Sequence, residues 1–108
     1  MAIHHARPGE LIDLAKWPYD VEPGKSHTMI VADGLEVARL ALPKGKALTD
    51  IVLPDSVTIH CVSGEIELTT TRARQVLIAG QLVYLPREDP HNLRALVDSV
   101  VLLTIGKS

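Results

Sequence analysis

The sequence predicts an all-β protein, an antiparallel sandwich or barrel built as one domain. Three observations carry this. From Thr28 onward, short runs of aliphatic and β-branched residues alternate with turn residues at strand-like spacing. No long helical pattern lies between the runs, so the crossover helices of a parallel α/β sheet have no room. Finally, 108 residues include no Phe, one Trp and two Tyr. The core must therefore be Val, Leu, Ile and Ala, side chains that suit a pleated, half-buried surface.

In chain order, residues 1–27 differ from the rest. They hold Pro8, Pro18, Pro23, Gly9, Gly24, Trp17 and Tyr19 and read as a mostly irregular N-terminal arm that packs on the body or on a partner subunit. Glu10–Lys16 has the pattern of a short helical stretch that Pro18 would stop. Residues 28–108 form the body. Its expected strands are Thr28–Ala32, Leu35–Leu42, Val57–Val62, Glu65–Thr69, Gln75–Ile78, Leu82–Leu85, Asn92–Val97 and Val100–Ile105. Asp33-Gly34, Pro43-Lys44-Gly45, Pro54-Asp55, Ser63-Gly64, Ala79-Gly80, the Pro86–Pro90 stretch and Asp98-Ser99 punctuate them.

Two strands bear on assembly. Val57, Ile59 and Cys61 alternate with Thr58, His60 and Val62, and Val100–Ile105 is largely apolar on both faces. A strand apolar on both faces needs cover on both. One face can line a barrel; the other needs a second sheet, the arm or a second copy. A homodimer is the expected partner arrangement.

Composition narrows the function classes. Eleven basic against thirteen acidic residues give a net charge of −2, which provides no basic footprint for nucleic acid. The low aromatic content removes a base-stacking platform. No apolar run is long enough to span a membrane, and the N-terminus lacks the apolar segment of a secretion signal. Cys61 has no second cysteine to pair with, so a cytoplasmic location is expected. No phosphate-binding loop or nucleophile triad is legible.

From Gly45 to Ala95 the sequence resembles a small single-domain cupin, the RmlC-like jelly-roll superfamily. The first motif of that family runs glycine, five residues, His-x-His, three or four residues, Glu, six residues, glycine. Gly45 and Gly64 frame it here without a gap, and its ligand positions fall on Ile51, Leu53 and Val57. In the second motif Gly80, Pro86 and His91 match, Glu88 stands where a second glycine is usual, and Ala95 stands in place of Asn. The resemblance implies a cupin-type antiparallel jelly-roll β-barrel or sandwich. In the family, the counterpart of His91 joins two histidines and a glutamate around a divalent metal.

The departures decide what is expected of the site. Such a centre takes about three or four N, O or S ligands. The aligned positions offer His91 alone, because Ile51, Leu53 and Val57 have no lone pair to give. The usual metal site, and with it any metal cofactor, is therefore expected to be absent. Shifting the register by one brings in Asp50 but also Val52. His60 alternates away from Val57 and is expected in a sheet-packing or subunit interface. His4, His5 and His27 read as a solvated arm, and Cys61 as an inert core thiol. Glu88 and Asp89 are expected to face solvent in a turn, and Arg72, Arg74, Arg87 and Arg94 to be solvated surface charges.

The expected function is metal-independent binding of a small organic ligand. The barrel pocket would be lined by Ile51, Leu53, Val57, Ile59, His91 and Leu93, with His91 as its polar anchor. Two alternatives stay open: an enzyme, either a metal-dependent oxygenase or isomerase or a metal-free acid–base catalyst using His91, and a purely structural dimeric interaction domain.

Overall fold

The structure is a computed structural model that describes residues 5–14 and 26–107. Among these residues nine strands are present: β1 (Ser26–Ala32), β2 (Leu35–Leu42), β3 (Ala47–Ile51), β4 (Ser56–Ser63), β5 (Glu65–Thr70), β6 (Arg74–Ile78), β7 (Gln81–Leu85), β8 (His91–Ala95) and β9 (Ser99–Gly106). They form a five-stranded sheet in the order β1-β2-β9-β4-β7 and a four-stranded sheet in the order β3-β8-β5-β6. Every pairing is antiparallel. Neighbours in the sheets are mostly distant in sequence, as the jelly roll requires. Among the described residues no helix is long and apolar enough to cross a membrane.

The two sheets face each other across the aliphatic core that the missing phenylalanines imply. Leu40 and Leu42 come from β2, Val57, Ile59 and Cys61 from β4, Ile66 and Leu68 from β5, Leu77 from β6, Leu85 from β7, Leu93 and Ala95 from β8, and Val101 from β9. Period-two alternation sorts each strand. In β4, Val57, Ile59 and Cys61 are buried, while Thr58, His60 and Val62 are half-buried on the outer face. Burying one such aliphatic side chain stabilises the fold by about 1.5–3 kcal/mol.

β3 was not expected from the sequence. Ala47-Leu48-Thr49-Asp50-Ile51 is exposed at three of its five positions, so it lacks the apolar alternation that marks a strand. It forms because it pairs with β8 along Ala47–Arg94, Leu48–Leu93 and Ile51–His91. The register slips between Leu48 and Ile51, and Asp50 takes φ 55° there. This is a bulge at a sheet edge. β8 begins at His91 and ends at Ala95, earlier than the sequence suggests at both ends.

The described part of the arm is not helical. Pro8 and Gly9 make a turn, closed by the Glu10 amide donating to the Arg7 carbonyl at 2.9 Å. The Glu10 carboxylate accepts in return from the Arg7 amide at 3.0 Å. That turn chemistry, with Gly9 at φ 82°, takes over the start of the expected helical stretch. Lys16, Trp17, Pro18 and Tyr19 lie outside the described residues. The Ala6 amide donates to the Met29 carbonyl at 2.7 Å and fastens the arm to β1.

Candidate functional site

β8 carries a polar side chain, His91, to the rim of the core. His91, Leu93 and Ala95 point inward and are buried, while Asn92 and Arg94 point out. His91 sits in a row with Ile51 of β3 and Thr70 of β5. Its Nδ1 lies 3.0 Å from the carbonyl oxygen of Asp89. A carbonyl can only accept, so Nδ1 holds the hydrogen. In the neutral ring the lone pair is then on Nε2, which makes that nitrogen an acceptor or a base.

The loop that delivers His91 is held from two sides. The Glu88 amide donates to the Leu53 carbonyl at 2.7 Å, tying the loop to the β3–β4 connection. The Asp89 carboxylate pairs with the Arg72 guanidinium from the β5–β6 turn. Asp89 is therefore buried rather than facing solvent as expected, because Arg72 supplies the charge that lets a carboxylate leave water. Glu88 is exposed, as expected, but it adopts φ 60°. This is the position where the family motif has a glycine, and the left-handed backbone explains the family's choice.

His91 borders two cavities. The larger, about 380 Å³, is apolar: Leu40, Leu48, Ile51, Leu53, Leu93 and Leu103 line it with Ser26, Ala47 and Thr49. The smaller, about 180 Å³, is polar, with Asp50, Thr69, Thr70, Thr71 and Asn92 beside Pro90 and His91. There the Asp50 amide donates to Asn92 Oδ1 at 2.7 Å, which steadies the bulge at Asp50.

Of the residues expected to line the pocket, Ile51, Leu53, His91 and Leu93 come together around the larger cavity. Val57 and Ile59 do not. They are 3% and 1% exposed, and they pack in the core cluster with Ile66, Leu68 and Leu85, which fill the space they face. Leu40, Leu48 and Leu103 take their place. Motif spacing could not reveal Leu40 and Leu103, which come from β2 and β9, and Leu48 was missed because β3 itself was not expected. Thr70 was missed because β5 meets β8 only in the folded sheet, and Asn92, next to His91, because its partner is the Asp50 amide of the unexpected strand β3.

The residues do not fit the metal the fold family implies. At the aligned positions one imidazole stands among Ile51, Leu53 and Val57. Among the described residues no group of three or more His, Cys, Asp or Glu side chains comes together to hold an ion. His60 lies on the outer face of the five-stranded sheet, opposite Leu102 and Leu82, and takes no part in either cavity. His27 does not belong to a solvated arm, because it is half-buried in β1 opposite Arg39. His5 is exposed, and His4 lies outside the described residues. Arg74, Arg87 and Arg94 are exposed surface charges, and Arg72, also exposed, is engaged by Asp89. Cys61 is fully buried and its thiol approaches the Ser63 and Gly64 carbonyls at 3.5 and 3.6 Å. Burial, and secondarily the charge of Glu65, pushes its pKa up, away from a reactive thiolate.

No family model matches the sequence, and no curated protein matches it. Solved structures do. The chain superimposes on a protein of unknown function, SPY1581 from Streptococcus pyogenes, with TM-score 0.77 and 22% identity over 100% of this chain and 96% of that one. An RmlC-like cupin from Desulfovibrio desulfuricans gives TM-score 0.76 and 20% identity over 94% and 97%. The DMSP lyase DddQ from Ruegeria pomeroyi gives TM-score 0.72 and 17% identity over 78% of this chain and 47% of its own. The chain has the cupin fold.

Proposed function

We propose that this chain is a metal-independent binding module for a small, largely apolar molecule bearing one hydrogen-bond donor. One observation carries the reading. An apolar cavity of about 380 Å³ meets a single imidazole whose other nitrogen is already bound to the Asp89 carbonyl. An apolar enclosure with one placed polar group is the usual composition of a small-molecule site. In the neutral ring the hydrogen on Nδ1 leaves Nε2 as an acceptor, so in that form a hydroxyl or N–H on the ligand would be selected over an ether or ester oxygen.

The test is a calorimetric titration of the untagged chain with small alcohols and amides against ethers and esters of equal size. Donor-bearing ligands should bind, their acceptor-only counterparts should bind more weakly, and His91→Ala should lose that distinction. Metal analysis after loading with iron, manganese, nickel and zinc supplies the opposing outcome. Near-stoichiometric metal that His91→Ala abolishes would overturn the reading in favour of a metalloenzyme.

The polar cavity favours a second reading, a metal-free acid–base catalyst, because Asp50 and His91 both border it. A reaction lost in both His91→Ala and Asp50→Asn would distinguish catalysis from binding. The module is further proposed to act as a cytoplasmic homodimer. Leu82 and Tyr84 are 59% and 61% exposed on the outer face of the five-stranded sheet, and Leu102, half-buried, lies across from His60 on the same face. Light scattering that shows a dimer for the wild type and a monomer for Leu82→Glu would support this. A wild-type monomer would favour neither the dimer nor the purely structural reading.

A further inference from the structure

A cavity outside the barrel lies between the arm and the five-stranded sheet and measures about 180 Å³. From β2, Arg39 reaches it. Arg39 is 8% exposed and lies in the middle of a cross-strand row, between His27 of β1 and Leu102 of β9. A guanidinium has five N–H donors. Among the described residues that of Arg39 has one acceptor, the Asp13 carbonyl, at 3.5 Å from Nη1. Its Nε is buried and has none, and it joins no ion pair among the described residues. A buried charge in that state is strongly unfavourable unless an anion or several acceptors take up its donors. The cavity beside it provides the space.

The walls define the anion. Ile12 and Met29 contribute apolar surface, and Leu11 extends it to the solvent side, where it is 91% exposed. A carboxylate is planar, and its two oxygens match the Arg fork. An alkyl tail behind it would meet those apolar walls, whereas a tetrahedral phosphate or sulfate would press a charged oxygen onto them. A cavity of about 150 Å³ takes a molecule the size of benzene, so the room here suits a carboxylate with a chain of about four carbons. Two other groups face the space. His27 lines it and can donate or accept. Glu10 also lines it, carries like charge to the ligand, and is exposed, so water screens its repulsion. Asp13 contributes its carbonyl to Arg39 and is itself exposed.

We propose that Arg39 anchors a binding site for a short-chain alkyl carboxylate, held between the N-terminal arm and the outer face of the five-stranded sheet. The site is separate from the His91 cavity and stands whether or not that cavity binds a ligand. Its occupation would lock the arm onto the sheet, because the ligand touches residues from both.

The experiment titrates the full chain with acetate, butyrate and octanoate at fixed ionic strength, with chloride and inorganic phosphate as controls. Thermal unfolding and the Arg Nε–H resonance of Arg39 are followed together. Butyrate is expected to raise the Tm more than acetate and to shift the Arg39 Nε–H signal. At about a hundred times its Kd it would raise the apparent folding constant about a hundredfold. Arg39→Met should abolish the response, Arg39→Lys should weaken it, and His91→Ala should leave it intact. Should Arg39→Met fail to fold, the Arg39→Lys variant and the wild-type resonance decide the matter. Four outcomes would overturn the proposal. They are an unresponsive Nε–H signal, a response equalled by phosphate, one that survives in Arg39→Met, or a signal that moves without ligand in Asp20→Asn or Glu22→Gln, variants of the two acidic residues in the sequence between Leu14 and Ser26. The last would assign the anion to the chain itself.

Discussion

The backbone carbonyl of Asp89 accepts the Nδ1 hydrogen of His91 at 3.0 Å, while the Asp89 carboxylate is held by Arg72. One residue thus sets the imidazole's tautomer through its main chain and anchors the His91 loop through its side chain. Arg72, in the β5–β6 turn, is a positioning residue for His91 and touches neither cavity.

Arg72→Ala is expected to cost about 1 kcal/mol, the upper range for an ion pair with one solvated partner, since the Arg72 side chain is 60% exposed. Asp89→Asn should cost a similar amount, and the double variant little more than either single one. Urea unfolding of the three variants measures this coupling. The imidazole resonances of His91 should shift in Arg72→Ala even where stability changes little, a response that a purely surface arginine would not produce.

Gly64 closes the first motif at φ 88°, and a Cβ built there would lie 2.2 Å from Ser99 Oγ and 2.6 Å from the Asp98 carbonyl oxygen. Ser99 cannot easily give way. It is fully buried, and its hydroxyl accepts from the Glu65 amide at 3.1 Å and lies 2.7 Å from the Val97 carbonyl. Gly64→Ala combines a left-handed backbone penalty of about 1–2 kcal/mol with an overpacking penalty of about 1–3 kcal/mol. A loss of roughly 2–5 kcal/mol is expected in chemical denaturation.

Glu88→Gly should act in the opposite direction. Relief of the left-handed conformation is worth about 1–2 kcal/mol, and the extra freedom of glycine in the unfolded chain takes back about 0.4–1 kcal/mol. The variant should gain up to about 1.5 kcal/mol, visible as a higher denaturation midpoint. A loss of stability would mean that the Glu88 side chain contributes contacts that outweigh its backbone strain.

Cys61 should resist alkylation in the native state and react on unfolding. Its folded pKa is raised, first by burial and then by Glu65, so folding favours the neutral thiol. The stability linked to this group is fully present below about pH 8.5, where an unfolded thiol begins to ionise. It is lost as the pH rises from there through the raised folded value. Denaturation midpoints of wild type and Cys61→Ala, compared from pH 7 to alkaline pH, should show the wild type alone losing this component.

The all-β class and nearly all strands were legible in the chain, because the alternation of Val57-Thr58-Ile59-His60-Cys61-Val62 and the glycine and proline punctuation are local signals. The cupin fold was legible through Gly45, Gly64, Gly80, Pro86 and His91. β3 was not, because only a partner strand makes Ala47–Ile51 extended. Nor was the burial of Asp89, which depends on Arg72 from another turn.

The same division holds at the site. Side-chain chemistry alone settled that Ile51, Leu53 and Val57 have no lone pair for a metal, and alternation alone placed His60 away from Val57. Which apolar residues border His91 was a tertiary matter. Leu40 and Leu103 reach the cavity from the facing sheet, while Val57 and Ile59, on the expected strand, are packed solid. Arg39, a charge within the strand Leu35–Leu42, is a buried guanidinium because the arm lies beside β2. Local periodicity sets which face a residue takes. What meets that face, and whether space remains there, is decided by segments far away in the chain.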